Sequence, residues 1–432
     1  MRQKLLSEGA KELSYEIREI VKKAKVLQNE GLDISWENIG DPIQKNAKIP
    51  DWMKDIVIEL SRDDRTYGYC DSKGEIETRE FLATRTNILG GVKVSAEDIL
   101  FFNGLGDAIA TLYHYLAPTT RVIGPSPAYS THSSAEAAHA NHHPLTYRLD
   151  PENHWYPDME DLRNKVKYNP NIVAVLLINP DNPTGMVYPK EILDEIVELA
   201  KEYNLFLISD EIYNQITYNG ARAYALAEVI DDVPGIAMKG ISKELPWPGA
   251  RCGWIECYNR GNDEEFNRLC KTLDDAKMIE VCSTTLPQLA IPKIIGDERY
   301  KAYRTDLNEK IGRRSRFISE TLQEIPELTF NPTFGAFYNT IVFKPGTLNR
   351  KQTLDIENPK VKEYVNEWVE NVSLDTRFVY YLLGATGICV VPISSFCSDL
   401  LGFRITLLEE DEELLKKTFT TLKDSIRLYL DS

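Results

Sequence analysis

Residues 172–185 read IVAVLLINPDNPTG, in which an unbroken apolar run is followed at once by a polar segment rich in proline and asparagine. A short apolar run with several β-branched residues is typical of a strand that is buried on both faces. Five further runs of this kind occur between residues 99 and 257: ILFF (99–102), RVIG (121–124), LFLIS (205–209), GIAM (235–238) and CGWIEC (252–257). Helical patterns such as residues 189–203 separate several of these runs, and the alternation predicts an α/β fold with a parallel sheet between helices.

The pattern changes after about residue 300. An amphipathic helix is predicted around residues 363–372, a second helix ends near Gly384, and two apolar strands follow, ICVVPI (388–393) and FRITLL (403–408). This mixture predicts a smaller α+β domain. A long helix near residue 315 would connect it to the larger one.

The composition is that of a globular protein with more than one domain, since the 432 residues are 43% hydrophobic and 27% charged. The 50 lysines and arginines against 66 aspartates and glutamates give a net charge of −16, which argues against partners such as nucleic acid or an anionic membrane. The seven cysteines include no Cys-x-x-Cys pair, so we expect reduced thiols in a cytoplasmic protein. The N-terminal stretch has no apolar core and no apolar run exceeds seven residues, so we expect no signal peptide and no membrane span.

Polar segments follow five of the predicted strands: NGLGDA, PSPAY, NPDNPTG, DEIY and KGISK. Each begins at the carboxyl end of its strand, and in an open parallel sheet this edge binds ligands. A single loop of this kind can carry glycine, proline and asparagine for turn chemistry alone. Five such loops together predict one ligand-binding crevice.

Three of these loops suggest particular chemistry. The segment 103–107, NGLGD, opens a predicted helix, and the free N–H groups there would bind an anion such as phosphate. The third glycine of a dinucleotide motif is missing, which weakens a nicotinamide reading. Asp210 ends a buried strand and either meets a cation or caps a helix. Lys243 near a strand end could be a nucleophilic amine or a surface lysine, and Arg251 suits a phosphate.

Several segments closely resemble those of the class I/II aminotransferases, the fold-type-I enzymes that depend on pyridoxal 5′-phosphate (PLP). They are NIGDP (38–42), YGYCDSKG (67–74), NPDNPTG (179–185), SDEIY (209–213), ISKELPWPGAR (241–251) and GFRIT (402–406), in the order expected of the family. The resemblance implies a large domain with a mainly parallel seven-stranded sheet between helices, and a smaller α+β domain. We predict a large PLP-binding domain at residues 51–310 and a small domain built from both chain ends, residues 1–50 and 311–432.

The resemblance also implies catalytic roles. Lys243 would form the internal aldimine with PLP and carry the proton between Cα and C4′. Asp210 would pair with the pyridine nitrogen and keep it protonated. Asn182 and Tyr213 would hydrogen-bond the 3-oxygen of the ring, and Tyr129 would stack on the ring.

The remaining site residues are assigned in the same way. The phosphate would be held by Gly104, Leu105, Gly106, Ser242 and Arg251. Arg404 would bind the substrate α-carboxylate as a bidentate pair, with Gly40 closing above it and Asn182 nearby. Tyr69 usually reaches the cofactor phosphate of the neighbouring subunit in this family, which implies a homodimer with shared sites.

The function predicted from these residues is transfer of an amino group between an L-amino acid and a 2-oxo acid by a ping-pong cycle. A PLP-dependent lyase or decarboxylase on the same scaffold, or a PLP-binding regulator, remains an alternative, and the donor amino acid stays open. His139, His142 and His143 have no carboxylate or cysteine at useful spacing, so we expect no metal site. His132, three residues after Tyr129, is left open as a residue at the rim of the site.

Overall fold

The computed structural model describes residues 5–6, 8–12 and 17–432. The strands in these ranges are β1 Ser35–Trp36, β2 Ile99–Phe102, β3 Arg121–Ser126, β4 Thr146–Asp150, β5 Tyr156–Pro157, β6 Ile172–Ile178, β7 Phe206–Asp210, β8 Gly235–Gly240, β9 Gly253–Tyr258, β10 Leu328–Phe330, β11 Tyr338–Phe343, β12 Ile388–Cys389, β13 Val391–Pro392 and β14 Gly402–Thr406. The α-helices are α1 Ile17–Asn29, α2 Asp51–Leu60, α3 Ile76–Leu89, α4 Leu105–Tyr115, α5 Ser130–Ala140, α6 Met159–Tyr168, α7 Lys190–Tyr203, α8 Leu226–Val229, α9 Glu264–Glu280, α10 Thr285–Ile295, α11 Glu298–Leu322, α12 Pro359–Trp368, α13 Leu374–Thr386 and α14 Glu412–Leu430.

The large sheet has the strand order β2-β9-β8-β7-β6-β3-β4-β5. Neighbours from β8 to β4 run parallel, whereas β9 is antiparallel to both β2 and β8. The mainly parallel α/β architecture is confirmed. An eighth strand, the two-residue edge strand β5, adds to the seven that were expected, and it pairs antiparallel with β4.

The apolar run 172–178 is continuous because both faces of β6 are covered. Val175 and Leu177 belong to one buried cluster, which includes residues of α7 and α10. Ala174 and Leu176 belong to another cluster, which includes residues of α4 and α9. Alternate residues of a strand point to opposite faces, so a strand between two helical layers must be apolar at nearly every position.

A second sheet is antiparallel, with the order β10-β11-β14-β13. Its buried cluster takes residues from α1 near the start of the chain and from α13 and α14 near its end. Helix α11 connects the two parts, because Tyr300 packs in the first cluster and Ile318 in the second. The second cluster also includes Tyr213, which lies within the range 51–310.

The domain ranges 51–310 and 1–50 plus 311–432 stay a prediction. Residues 1–4, 7 and 13–16 of the range 1–50 lie outside the described residues. Within the described part of the chain, no helix is both long and apolar enough to cross a membrane. The same part holds no group of three or more histidine, cysteine, aspartate or glutamate side chains that could bind a metal ion. All seven cysteines are free thiols.

Candidate active site

The carboxyl ends of the central strands lie level with one another. Asp210, the last residue of β7, pairs in register with Ile178 on β6 and with Met238 on β8. The N–H of Asn179 donates to the carbonyl oxygen of Asp210 at 3.1 Å. The motif segments after β6, β7 and β8 therefore leave the sheet at one edge, as parallel strands require.

Lys243 lies in the loop between β8 and β9 and is half-buried. Its Nζ donates a hydrogen bond of 2.7 Å to the carbonyl oxygen of Gly40. The ring centres of Phe337 and Tyr213 lie 5.6 and 5.9 Å from this nitrogen. The amine therefore points into the crevice between the two sheets, and a surface position for this lysine is excluded.

Asp210 is buried, and its partner is a histidine. Oδ2 of Asp210 lies 3.0 Å from Nε2 of His132, and Oδ1 accepts the N–H of Ile212 at 3.1 Å. His132 is only 1% exposed on α5, so it stands behind Asp210 and not at the rim of the site. In the sequence, the spacing of three between Tyr129 and His132 indicated that the two side chains lie close together, because residues three apart face the same side of a helical turn. The Tyr129 ring, half-buried, lies edge-on to His132 with 6.4 Å between ring centres.

Tyr213 is paired with a tyrosine that sequence reasoning missed. The hydroxyls of Tyr213 and Tyr338 lie 3.1 Å apart, and both side chains are buried. Burial, together with the neighbouring Tyr338, raises the pKa of Tyr213 well above its ordinary value. The Tyr213 hydroxyl therefore keeps its proton at neutral pH and can act as a hydrogen-bond donor.

Arg404 lies on β14 and is 3% exposed, and two aromatic rings lie close to its guanidinium. The ring centre of Tyr338 is 4.5 Å and that of Phe396 is 5.0 Å from Cζ. Nη2 donates to the carbonyl oxygen of Asn38 at 2.7 Å, and Nη1 donates to Oδ1 of Asn182 at 3.3 Å. The structure thus brings Asn182 and Arg404 together from opposite parts of the chain.

The segment that carries Asn38 and Gly40 is tied down by a buried ion cluster. Nζ of Lys45 lies 3.1 Å from Oε1 of Glu37 and 2.9 Å from Oε2 of Glu409. Burial raises the pKa of Glu37, and the charge of Lys45 opposes that shift. The cluster joins this N-terminal segment to the chain just after β14.

The residues that are predicted to bind an anion, 103–106 and Arg251, lie together at the start of α4. Gly104 has φ +87°, and a Cβ there would lie 2.4 Å from Nη2 of Arg251, so the guanidinium fills the space that a side chain would take. The side chain of Arg251 is exposed and donates to the carbonyl oxygens of Pro248 and Asn103 at 3.1 and 3.4 Å. Nothing lies within 4 Å of a Cβ built on Gly106, and Leu105 begins the helix between them. The arrangement suits a phosphate group.

Two predicted residues lie apart from these contacts. Ser242 is half-buried beside Lys243 in the same loop. Tyr69 is 86% exposed, and within the described chain it reaches none of the other site residues through a hydrogen bond or a ring contact. The single chain therefore does not bring Tyr69 to its own crevice.

The sheet topology and the lysine, carboxylate and arginine of the crevice define the class of protein, an α/β transferase of fold type I. The sequence profile of the family described as "Aminotransferase class I and II" matches residues 38–417. The chain belongs to this family and is an aminotransferase.

Individual relatives agree with this assignment. The chain is 56% identical, over 100% of both proteins, to a Methanocaldococcus jannaschii protein that is named an uncharacterized aminotransferase. It is 30% identical to the glutamate-pyruvate aminotransferase AlaA of Escherichia coli, over 75% of this chain and 79% of that one. Among solved structures, an alanine aminotransferase from Pyrococcus furiosus is similar with a TM-score of 0.84 and 27% identity, covering 98% of this chain and 99% of that chain.

Proposed function

We propose that the protein binds PLP and moves an amino group between L-alanine or L-glutamate and the 2-oxo acids pyruvate and 2-oxoglutarate. The observation that supports this proposal is the row of contacts from Lys243 past Tyr213 and Tyr338 to Arg404. The primary amine of Lys243 lies at one end of this row and the buried guanidinium of Arg404 lies at the other. The substrates follow the names of two relatives, the glutamate-pyruvate aminotransferase of E. coli and the alanine aminotransferase of P. furiosus.

The residues at the start of α4 fit the phosphate of PLP. Its charge would be met by the N–H groups of the first turn and by the guanidinium that occupies the space beside Gly104. The phosphate ligands that we propose are Gly104, Leu105, Gly106, Ser242 and Arg251.

The residues at the ends of β6 and β7 fit the pyridine ring. Asp210 is a buried carboxylate whose Oδ2 contacts only His132 among the described residues, so its charge would hold a proton at the ring nitrogen. Asn182 and Tyr213 would donate to the 3-oxygen of the ring, and Tyr129 would cover one face. When bound, PLP supplies an electron sink for the bonds at the substrate Cα.

The chain's own side chains then bind the substrate and move the proton. Arg404 would bind the α-carboxylate as a bidentate pair, with the rings of Tyr338 and Phe396 packed beside its guanidinium. Gly40 lets the backbone lie directly above this position, since a Cβ there would meet the Tyr338 hydroxyl at 2.0 Å. Lys243 would bind the cofactor aldehyde and, once the substrate amine has displaced it, would carry the proton to and from Cα. Both substrates would use Arg404 in turn, and the cofactor would keep the amino group between the two half-reactions, so a ping-pong cycle is expected.

We propose further that the protein is a cytoplasmic homodimer. Tyr67, Tyr69, Met278 and Ile279 all have exposed side chains, and a hydrogen bond of 2.8 Å from Oγ1 of Thr285 to the carbonyl oxygen of Gly68 joins the tyrosine segment to the chain that follows α9. Large apolar side chains that are exposed together are typical of an interface. Tyr69 would cross it and reach the phosphate of the partner's cofactor. An Ile279→Glu variant should elute as a monomer on size-exclusion chromatography with light scattering, and a dimer would argue against this interface.

The function is tested with purified protein loaded with PLP. Alanine and 2-oxoglutarate should give pyruvate and glutamate in equal amounts, measured by chromatography. If pyruvate and ammonia form without any acceptor, the protein is a lyase. If neither alanine nor glutamate serves as a donor in a panel of amino acids, the substrate proposal is wrong.

The site is tested by replacing the proposed catalytic lysine. Lys243→Ala should lose the visible absorbance band of lysine-bound PLP together with all turnover. Lys351→Ala, a change of an exposed lysine away from the crevice, is the matched control and should keep both. Full turnover and an unchanged band in Lys243→Ala would overturn the assignment.

A further inference from the structure

Tyr338 contacts both halves of the proposed site, the cofactor half with Tyr213 and the substrate half with Arg404. Neither the motifs nor the proposed function assigns it a role. Tyr338 stands at the start of β11 and is 3% exposed. Its hydroxyl contacts Tyr213, its ring contacts Arg404, and its oxygen fills the space beside Gly40. A tyrosine in this position can act on the site in two separable ways, through the hydrogen bond of its hydroxyl and through the packing of its ring.

The ring controls the direction of the guanidinium. Tyr338 and Phe396 lie on Cζ of Arg404 at 4.5 and 5.0 Å from their ring centres, which is within the range of a favourable cation–π contact. Because the site is desolvated, such a contact is stronger than it is at the protein surface. The two ring contacts restrict the directions in which the guanidinium can turn toward a carboxylate.

The hydroxyl acts on Tyr213. Within the described part of the chain the Tyr338 hydroxyl has one hydrogen-bond partner, the hydroxyl of Tyr213 at 3.1 Å. If Tyr213 donates its proton to the 3-oxygen of PLP, its lone pairs are left to accept the proton of Tyr338. Two hydroxyls in such a chain polarise each other, so the hydrogen bond donated by Tyr338 strengthens the hydrogen bond that Tyr213 donates to the cofactor.

The backbone of the proposed substrate site also depends on this residue. The Tyr338 oxygen lies 2.0 Å from the position that a Cβ on Gly40 would take. The carbonyl oxygen of Gly40 accepts the hydrogen bond from Lys243 at 2.7 Å. The same aromatic side chain therefore contacts the backbone that meets the amine, the tyrosine that faces the ring, and the arginine that faces the carboxylate.

We propose that Tyr338 is a positioning residue that couples the two halves of the site, with the hydroxyl tuning the cofactor through Tyr213 and the ring orienting Arg404 for the α-carboxylate. This inference rests on the proposed function, since it takes PLP and an α-carboxylate as the two ligands. It goes beyond that function because it assigns one role to the hydroxyl of Tyr338 and another to its ring, and different substitutions remove the two roles.

The experiment uses Tyr338→Phe, which removes only the hydroxyl, and Tyr338→Leu, which removes the ring as well. Tyr218→Phe is the matched control, because its buried hydroxyl contacts Thr333 and Gly335 away from the site. Two quantities are measured on PLP-loaded protein without turnover: the midpoint of the pH titration of the PLP absorbance, and the affinity for 2-methylalanine, which lacks a hydrogen on Cα.

Tyr338→Phe should raise the titration midpoint by about half a pH unit, since one further hydrogen bond strengthens its neighbour by about 10–30%. Its affinity for 2-methylalanine should stay within about twofold, because the ring remains on the guanidinium. Tyr338→Leu should show the same midpoint shift and bind 2-methylalanine about tenfold more weakly. Tyr218→Phe should match the wild type in both measurements.

An unshifted midpoint in Tyr338→Phe, while the wild type shows the PLP band, would overturn this inference and leave the proposed function intact. Equal affinity for 2-methylalanine in Tyr338→Leu and in the wild type would overturn the role of the ring. If the wild-type protein itself shows no PLP band, the proposed function fails first, and the inference fails with it.

Discussion

Replacing Lys45 with methionine should destabilise the protein strongly at pH 8 and much less at pH 5. Lys45 is the cation of the buried ion cluster, with Nζ 3.1 Å from Glu37 and 2.9 Å from Glu409. Glu37 is 0% exposed and its Oε2 has no hydrogen-bond partner, so the carboxylate depends on the charge of Lys45. Removing one member of a buried ion pair leaves the other charged and desolvated.

The size of the effect follows from that uncompensated charge. Breaking a buried pair costs about 3–5 kcal/mol, so a loss of this order in the free energy of unfolding is expected at pH 8. Burial already raises the pKa of Glu37 in the wild type, and loss of the lysine raises it further. A carboxyl group whose folded-state pKa is raised stabilises the folded state below its unfolded-state pKa, and this contribution is lost as the pH rises through the raised value. As the pH falls, protonation of Glu37 in the variant removes the uncompensated charge, so the loss should be smaller at pH 5, about 1–2 kcal/mol.

The assay is equilibrium unfolding in urea at both pH values, with far-UV circular dichroism as the signal. Lys48→Met is the control, because it changes an exposed lysine three residues away and should move the free energy of unfolding by no more than about 0.5 kcal/mol. An equal loss at pH 5 and pH 8 would refute the role of Glu37, and a loss at pH 8 no larger than that of Lys48→Met would refute the buried cluster itself.

Two further predictions concern the proposed site, and a third concerns Asp181, a buried residue that precedes Asn182 in the chain. Gly104→Ala should weaken PLP binding about tenfold in an absorbance titration, because the new methyl group meets the Arg251 guanidinium and a positive φ costs an L-residue about 1–2 kcal/mol. Arg404→Lys should raise KM for the amino acid about 10- to 100-fold with a smaller change in kcat, since the planar bidentate contact is lost. Asp181→Asn should be more stable than the wild type, and by roughly 2 kcal/mol more at pH 8 than at pH 5 in urea unfolding. Burial raises the pKa of Asp181 to about 7, so the wild type loses stability as the pH rises from about 4 through 7, and the asparagine does not.

Each of these has a contrary outcome. Unchanged PLP affinity in Gly104→Ala would mean that the phosphate lies elsewhere. A loss in kcat with KM unaltered in Arg404→Lys would contradict a role in binding the carboxylate. Parallel pH profiles of stability for the wild type and Asp181→Asn would mean that this carboxyl group does not titrate in that range.

The sequence predicted the large sheet well because the signal there is local. A run such as 172–178 can be buried on both faces only in the middle of a helix-covered sheet, and the structure has it there. The segments after β6, β7 and β8 reach one edge because parallel strands share a direction. These two rules required no knowledge of distant contacts.

What the sequence could not predict depends on pairings between distant residues. The run ICVVPI reads as one strand but forms two, because β12 pairs with β1 while β13 pairs with β14. Tyr338 begins an ordinary apolar strand, and it meets Arg404 only because β11 pairs with β14 in a register that sets Thr340 opposite Arg404. The spacing of His132 from Tyr129 indicated only that His132 lies near the site, and its contact with Asp210, 78 residues away, could not be predicted.

The contact between Asn38 and Arg404 spans 366 residues, from near the beginning of the chain to near its end. On the ribosome, the strands of the large sheet and the loop with Lys243 are synthesised long before β14. A nascent chain that has folded its large sheet still lacks Arg404. The segment with Asn38 can therefore form its contact with Arg404 only at a late stage of translation. The residues that we propose as cofactor ligands are thus synthesised before Arg404, the proposed ligand of the substrate carboxylate, and a chain that is released before β14 would carry the first without the second.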